Sequence, residues 1–157
     1  MARIFAALGL TLLLGGCAGV SPPTPEQTLG GEVGDTAHYR LSGEDYGPGD
    51  LLGQVFFTFD GAGVGADDLP LLHTIAAGLC EFPDRTVTLV GYCDWFGGPE
   101  YNRQLGQRRA DAVAKILQRE GVAAERVRTR SRGSQDSPVG LSRQETRFDR
   151  RVDILRR

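Results

Sequence analysis

The stretch TVTLVGYCDWFGGPEYNRQLGQRRADAVAKILQREGV, residues 86–122, decides the fold. Its first part, Thr86 to Gly91, reads as a strand, and Tyr101 to Glu120 reads as a helix stopped by Gly121. Between them lies a glycine-rich loop that carries Asp94. In the helix Leu105, Val113 and Leu117 define one apolar stripe, and Arg109 falls between them at spacing four. A guanidinium on a buried stripe needs a partner, because an unpaired buried charge is costly. Asn102 precedes Arg109 by two helical turns and shares its face near the helix start. The loop from Cys93 to Glu100 lets Asp94 approach Arg109 at the edge of the sheet. An anion and a cation held together by rigid elements suit a zwitterionic amino-acid ligand. They equally suit an internal ion pair that closes the loop onto the helix, and spacing alone leaves both open.

Outward from this unit, Val55 to Asp60 (VFFTFD) reads as a buried strand and Gly61 to Ala66 as a turn. Asp67 or Asp68 then caps a helix running to Phe82, with Leu72, Ile75, Ala76 and Leu79 as its buried stripe. Val127 to Ser131 and Arg151 to Leu155 read as shorter strands, separated by the loop Gly133 to Gly140 and a helical turn near Gln144. Strands alternating with helices predict an α/β (α+β) two-layer sandwich, with helices packed on one face of a small mixed β-sheet. Residues 51–157 are long enough for one domain with one core.

The chain begins with an export signal over residues 1–16, in which Arg3 precedes an apolar run from Ile4 to Leu14. That run is too short to span a bilayer, which takes about 20 apolar residues. Leu14-Gly15-Gly16-Cys17 resembles the bacterial lipobox, which implies that Cys17 is acylated and becomes the mature N-terminus; Ala18 after it implies sorting to the outer membrane. More than one acyl chain is needed for stable attachment. Residues 17–50 read as this lipidated terminus and a tether punctuated by Pro22, Pro23, Pro25 and Pro48. Fully extended, the tether reaches on the order of 110 Å. Ala37 to Leu41 is the one part that could add an edge strand.

Net charge is −2, but residues 1–99 carry −9 and residues 100–157 carry +7. Export argues against nucleic acid as the partner of the basic half, which reads as an arginine-rich solvated surface. With Cys17 assigned to lipid, Cys80 and Cys93 remain. They bracket a strand of about seven residues, roughly 23 Å long, whereas bridged Cα atoms lie within about 7 Å. Two free thiols are expected, with Cys80 packed as a small hydrophobe. His73 reads as a solvated surface residue, and Trp95 and Phe96 either stack on a partner or fold back on the domain. Gly61, Gly63 and Ala66 imitate a dinucleotide-binding turn, but Asp67 and Asp68 put negative charge where a pyrophosphate would sit. No catalytic set, cofactor site or metal-ligand cluster is expected, and the chain reads as a non-enzyme.

From Val55 to Leu155 the chain resembles the OmpA-like (OmpA/MotB C-terminal) domain family. Four separated motifs carry the resemblance: VFFTFDGAGV, then GYCD with Gly97, then PEYNRQLGQRRADAV with its helix end REGV, and DRRVDI. The anchor and tether before the domain also resemble those of Pal-like lipoproteins. The resemblance implies noncovalent binding of peptidoglycan through the meso-diaminopimelate of its stem peptide, linking the outer membrane to the wall from the periplasmic side. It also admits Tol-type envelope proteins as partners. Carried over, Asp94 receives the ligand's ammonium and Arg109 its carboxylate by a bidentate contact. Asn102 and Leu105 shape the pocket, and Arg150 or Arg151 adds a second cation. Alternation with Val152 and Ile154 favours Arg150, whereas the family's second arginine corresponds to Arg151. Tyr92 and Cys93 depart from the family's Gly-His-Thr-Asp or Gly-His-Ala-Asp pattern, and Asp149 stands where it has Asn. These departures raise an alternative: an envelope-complex adaptor whose degenerate domain binds a protein rather than the wall.

Overall fold

The structure is a computed structural model and describes residues 50–157. The expected signal segment, the lipid-bearing Cys17, the tether and the edge strand at residues 37–41 lie outside the described residues. Four strands, β1 (Leu51–Phe56), β2 (Val87–Tyr92), β3 (Val127–Gly133) and β4 (Arg151–Arg156), form one sheet in the order β1-β4-β2-β3. β4 pairs antiparallel with both β1 and β2, and β2 pairs parallel with β3. A parallel neighbour requires a crossover. The crossover is α2 (Pro99–Arg119), which packs on the sheet beside α1 (Leu69–Glu81).

Val55 of β1, Val87 and Leu89 of β2, and Val152 and Ile154 of β4 meet the helical stripes Leu72, Ile75, Ala76, Leu79 and Ala110, Val113, Ala114, Leu117 in one core. Strand alternation sends Val90, Tyr92 and Leu155 to the opposite face, where they form a second small cluster. Gly91 is needed at the helix face because α2 comes so close. A Cβ there would lie 1.9 Å from the Gly106 carbonyl oxygen, far inside any permitted contact.

The expected two-layer mixed sheet is the observed one, with shifts at element ends. β1 begins at Leu51 and ends at Phe56 rather than spanning Val55 to Asp60. Asp60 lies in the turn beyond the strand, with φ of +58°. Neither Asp67 nor Asp68 caps α1 through its side chain. Asp68 has helical torsions in a preceding 3-10 turn, Ala66–Asp68, whereas a capping side chain needs an extended backbone. Pro99 supplies the first turn of α2, two residues before the expected start, and Gly121 ends the helix with φ of +99°. The helical turn near Gln144 is a 3-10 segment, Glu145–Asp149.

Cys80 corrects an expectation: it is exposed, its sulfur 3.9 Å from the Glu120 carbonyl oxygen. It follows Leu79 directly, so the 100° step of the helix carries it off the buried stripe. Both Cys80 and Cys93 are free thiols.

Candidate functional site

Three loops converge where β2 ends: Phe57–Gly61 after β1, Cys93–Gly98 after β2, and the segment leading into β4. Asn102 fastens the second of them. Its side-chain amide donates to the carbonyls of Asp94 (3.2 Å) and Phe96 (3.0 Å), and the residue is 1 % exposed. Leu105, one turn on, is buried. Trp95 and Phe96 fold back on the domain. Their rings stack at 4.3 Å, Phe96 meets Phe59 edge-on at 5.8 Å, and the Trp95 indole donates to the Leu141 carbonyl at 2.8 Å.

Arg109 is wholly buried, and its partners are three backbone carbonyls and one side-chain sulfur. Nε donates to the Gly61 carbonyl (2.8 Å), Nη1 to the Tyr92 carbonyl (2.8 Å) and the Cys93 sulfur (3.3 Å), and Nη2 to the Thr58 carbonyl (3.3 Å). A guanidinium has five N–H donors, so one remains. The expected bidentate grip on a ligand carboxylate is therefore unavailable in this arrangement. Desolvation pulls the arginine's pKa down, while the facing Cys93 and Asp94 favour its charged form. Cys93 donates to the Asn102 carbonyl at 3.3 Å, and burial pushes its thiol up to about 11. It sits here as a neutral, small hydrogen-bonding group.

The carboxylate finds a different cation from the one expected. Asp94 pairs with Arg150, Nη1 to Oδ2 at 3.0 Å, with side chains 6 % and 10 % exposed respectively. Arg150 also donates to the carbonyls of Arg143 (3.0 Å) and Phe57 (3.2 Å). Its Nη2 has no hydrogen-bond partner among the described residues. An anion thus sits beside a cation that keeps two donors in reserve, at the place where the three loops meet.

Arg151 is on the other face. Its Nε donates to Asp153 at 2.9 Å, and its guanidinium lies 4.2 Å from the centre of the Tyr92 ring. Alternation along β4 decides this, since Val152 and Ile154 take the helix face. Tyr92 likewise offers the site only its carbonyl, because its ring belongs to the opposite cluster. Asp149 is half-buried and accepts a 2.7 Å bond from Ser137; desolvation raises its pKa, and that hydrogen bond lowers it. His73 is on the surface, 2.8 Å from Glu120. Among the described residues no group of His, Cys, Asp and Glu is placed to hold a metal ion.

The model of the OmpA family matches residues 56–151. The chain belongs to the OmpA family. Among curated relatives of this OmpA-family chain, the peptidoglycan-associated lipoprotein of Rhizobium meliloti is 34 % identical over 140 residues, covering 88 % of this chain and 77 % of that one. The protein of the same name from Pasteurella multocida is 38 % identical over 96 residues, covering 61 % and 63 %. Among solved structures, the peptidoglycan-associated lipoprotein of Burkholderia pseudomallei superposes with a TM-score of 0.64 at 31 % identity, covering 66 % of this chain and 89 % of that one.

Sequence reasoning missed Phe59 and Arg143 as members of this OmpA-family site. Arg143 stands inside the capping box Ser142-x-x-Glu145, which is readable as a helix start but not as a neighbour of Asp94.

Proposed function

We propose that this OmpA-family protein is an outer-membrane lipoprotein that binds peptidoglycan noncovalently through the diaminopimelate of the stem peptide, tying the outer membrane to the cell wall. It is a binding protein and not an enzyme. The observation that carries the reading is the Asp94–Arg150 pair with the unused Nη2 of Arg150 beside it. Diaminopimelate ends in an amino-acid head group. Its ammonium suits the free lone pairs of Asp94, and its carboxylate suits the two N–H groups of Arg150 Nη2. Arg109 and Asn102 hold the loops in place beneath. Arg151 takes no part.

The lipid would be carried by Cys17 and the span from membrane to wall by the tether. The names of the relatives support the peptidoglycan and lipoprotein elements of this reading. Tyr92 turns its ring to the far face, so replacement of an imidazole there leaves the grip on the ligand intact.

Co-sedimentation with purified sacculi tests the proposal. The wild-type protein is expected in the pellet and Asp94→Ala in the supernatant. Wild type remaining in the supernatant would refute wall binding, and Asp94→Ala pelleting like wild type would refute the site. Radioactive palmitate labelling should require Cys17, and labelling of Cys17→Ser would refute the anchor.

A further inference from the structure

At the mouth of the site is a third guanidinium with no assigned task. Arg143 is exposed, yet its position is fixed at both ends. Its backbone carbonyl accepts from Arg150 Nη1, the same atom that pairs with Asp94. Its guanidinium lies over the Phe59 ring, 4.0 Å from the centroid, and 5.5 Å from that of Phe96. Phe59 is itself held edge-on against Phe96, which is stacked on Trp95. A stacked guanidinium loses less freedom when it forms hydrogen bonds than a free side chain does. Among the described residues Arg143 has no carboxylate partner and no acceptor for any of its five N–H groups.

The charge around the mouth is unbalanced in the same sense. Of Arg109, Arg143 and Arg150, only Arg150 meets a carboxylate, Asp94. The other carboxyl groups beside the mouth have partners elsewhere, Asp60 on the Tyr101 hydroxyl, Asp149 on Ser137 and Glu145 on the Ser142 backbone N–H. An amino-acid head group brings one ammonium and one carboxylate and changes this balance by nothing. A preorganised cation therefore remains for one further anion on the same ligand.

Resting on the peptidoglycan reading of the site, we infer that Arg143 is a specificity-determining residue that binds a second carboxylate of the stem peptide, next to the diaminopimelate. The stem offers two such groups: the α-carboxylate of the γ-linked glutamyl residue that precedes diaminopimelate, and the chain's terminal carboxylate. The glutamyl group is present whether or not the peptide is cross-linked, and it is the one assigned here. A planar guanidinium fork pairs with it bidentately.

Calorimetric titration of the full-length protein in detergent micelles with synthetic L-Ala-γ-D-Glu-meso-diaminopimelate tests this. Arg143→Gln should weaken binding about three- to tenfold, the range of an exposed charged contact, and Arg143→Lys should restore part of it. Amidating the glutamyl α-carboxylate should weaken wild type by a similar factor and leave Arg143→Gln unaffected, since the two changes remove one interaction. The same interplay with a C-terminally amidated peptide would keep the carboxylate subsite and move it to the chain terminus. Arg143→Gln binding as tightly as wild type, or losing equally toward all three peptides, would overturn the inference. Wild type binding none of the peptides would overturn the peptidoglycan reading itself. Unchanged thermal unfolding of Arg143→Gln separates these outcomes from misfolding.

Discussion

The floor and the rim of the site use the same side-chain chemistry for different ends. On the floor Arg109, fully buried, ties together loops after β1 and β2 by donating to three backbone carbonyls and a sulfur. On the rim Arg150 has one carboxylate partner and leaves Nη2 unused among the described residues. The floor arginine is close to saturated within the protein, whereas the rim arginine is half committed. Burial of a cation in a ligand site does not by itself make it the ligand's contact. What distinguishes the two is the number of donors left over.

Substitution at the floor should have the largest effect. Arg109→Ala should cost about 3–5 kcal/mol in chemical denaturation, since it strands buried carbonyls and opens a cavity beneath the loops. A loss below about 1 kcal/mol would mean that Arg109 is not a structural fastener. Asp94→Asn should cost less, about 1–3 kcal/mol, because only one partner of Arg150 is lost while its bonds to Phe57 and Arg143 remain. The same variant should lose sacculus binding outright, whereas Arg151→Gln, on the far face, should pellet like wild type.

The two thiols sharpen the contrast. Alkylation of native protein near neutral pH should modify exposed Cys80 readily and Cys93 only after unfolding, because burial holds the Cys93 thiol near 11. As pH rises above the ordinary thiol range, the unfolded state loses its proton before the folded state does, so this thiol subtracts stability under alkaline conditions. Equal reaction of both cysteines in native protein, followed by mass spectrometry, would contradict the buried floor. The smallest effect belongs to Tyr92→His. Its affinity for sacculi should stay within about twofold of wild type, corresponding to less than about 0.5 kcal/mol, because the ring lies across the sheet from the site.

Much of this was legible before the structure. The periodicities of 3.6 and 2 revealed the stripes Leu72, Ile75, Ala76, Leu79 and Leu105, Val113, Leu117, because burial on one face is a property that sequence displays directly. The same alternation pointed to Arg150 over Arg151, against the correspondence drawn from the family. Of the two readings left open for Asp94 and Arg109, a direct ion pair between them is not formed, for a reason sequence does not show. Arg109 is satisfied by carbonyl oxygens, which every residue carries, so no residue type marks its partners. Arg143 was invisible likewise, because its place depends on a ring from the loop after β1, distant in the chain, and on a bond from Arg150, seven residues on across a 3-10 segment. The end of β1 was misjudged because the apolar run VFFTFD continues past Phe56, where pairing stops, to Asp60 in the turn beyond.

The central claim is that Asp94 and Arg150 together grip an amino-acid head group. The most direct test is calorimetric titration of wild type and Arg150→Gln with two stem tripeptides, one ending in meso-diaminopimelate and one in L-lysine, which keeps the ammonium and lacks the carboxylate. Wild type should prefer diaminopimelate by about tenfold or more, as expected for a charged contact of about 1.4 kcal/mol or more, and Arg150→Gln should lose that preference while its weak binding of the lysine peptide persists. Equal affinity of wild type for the two peptides, or an undiminished preference in Arg150→Gln, would contradict the account.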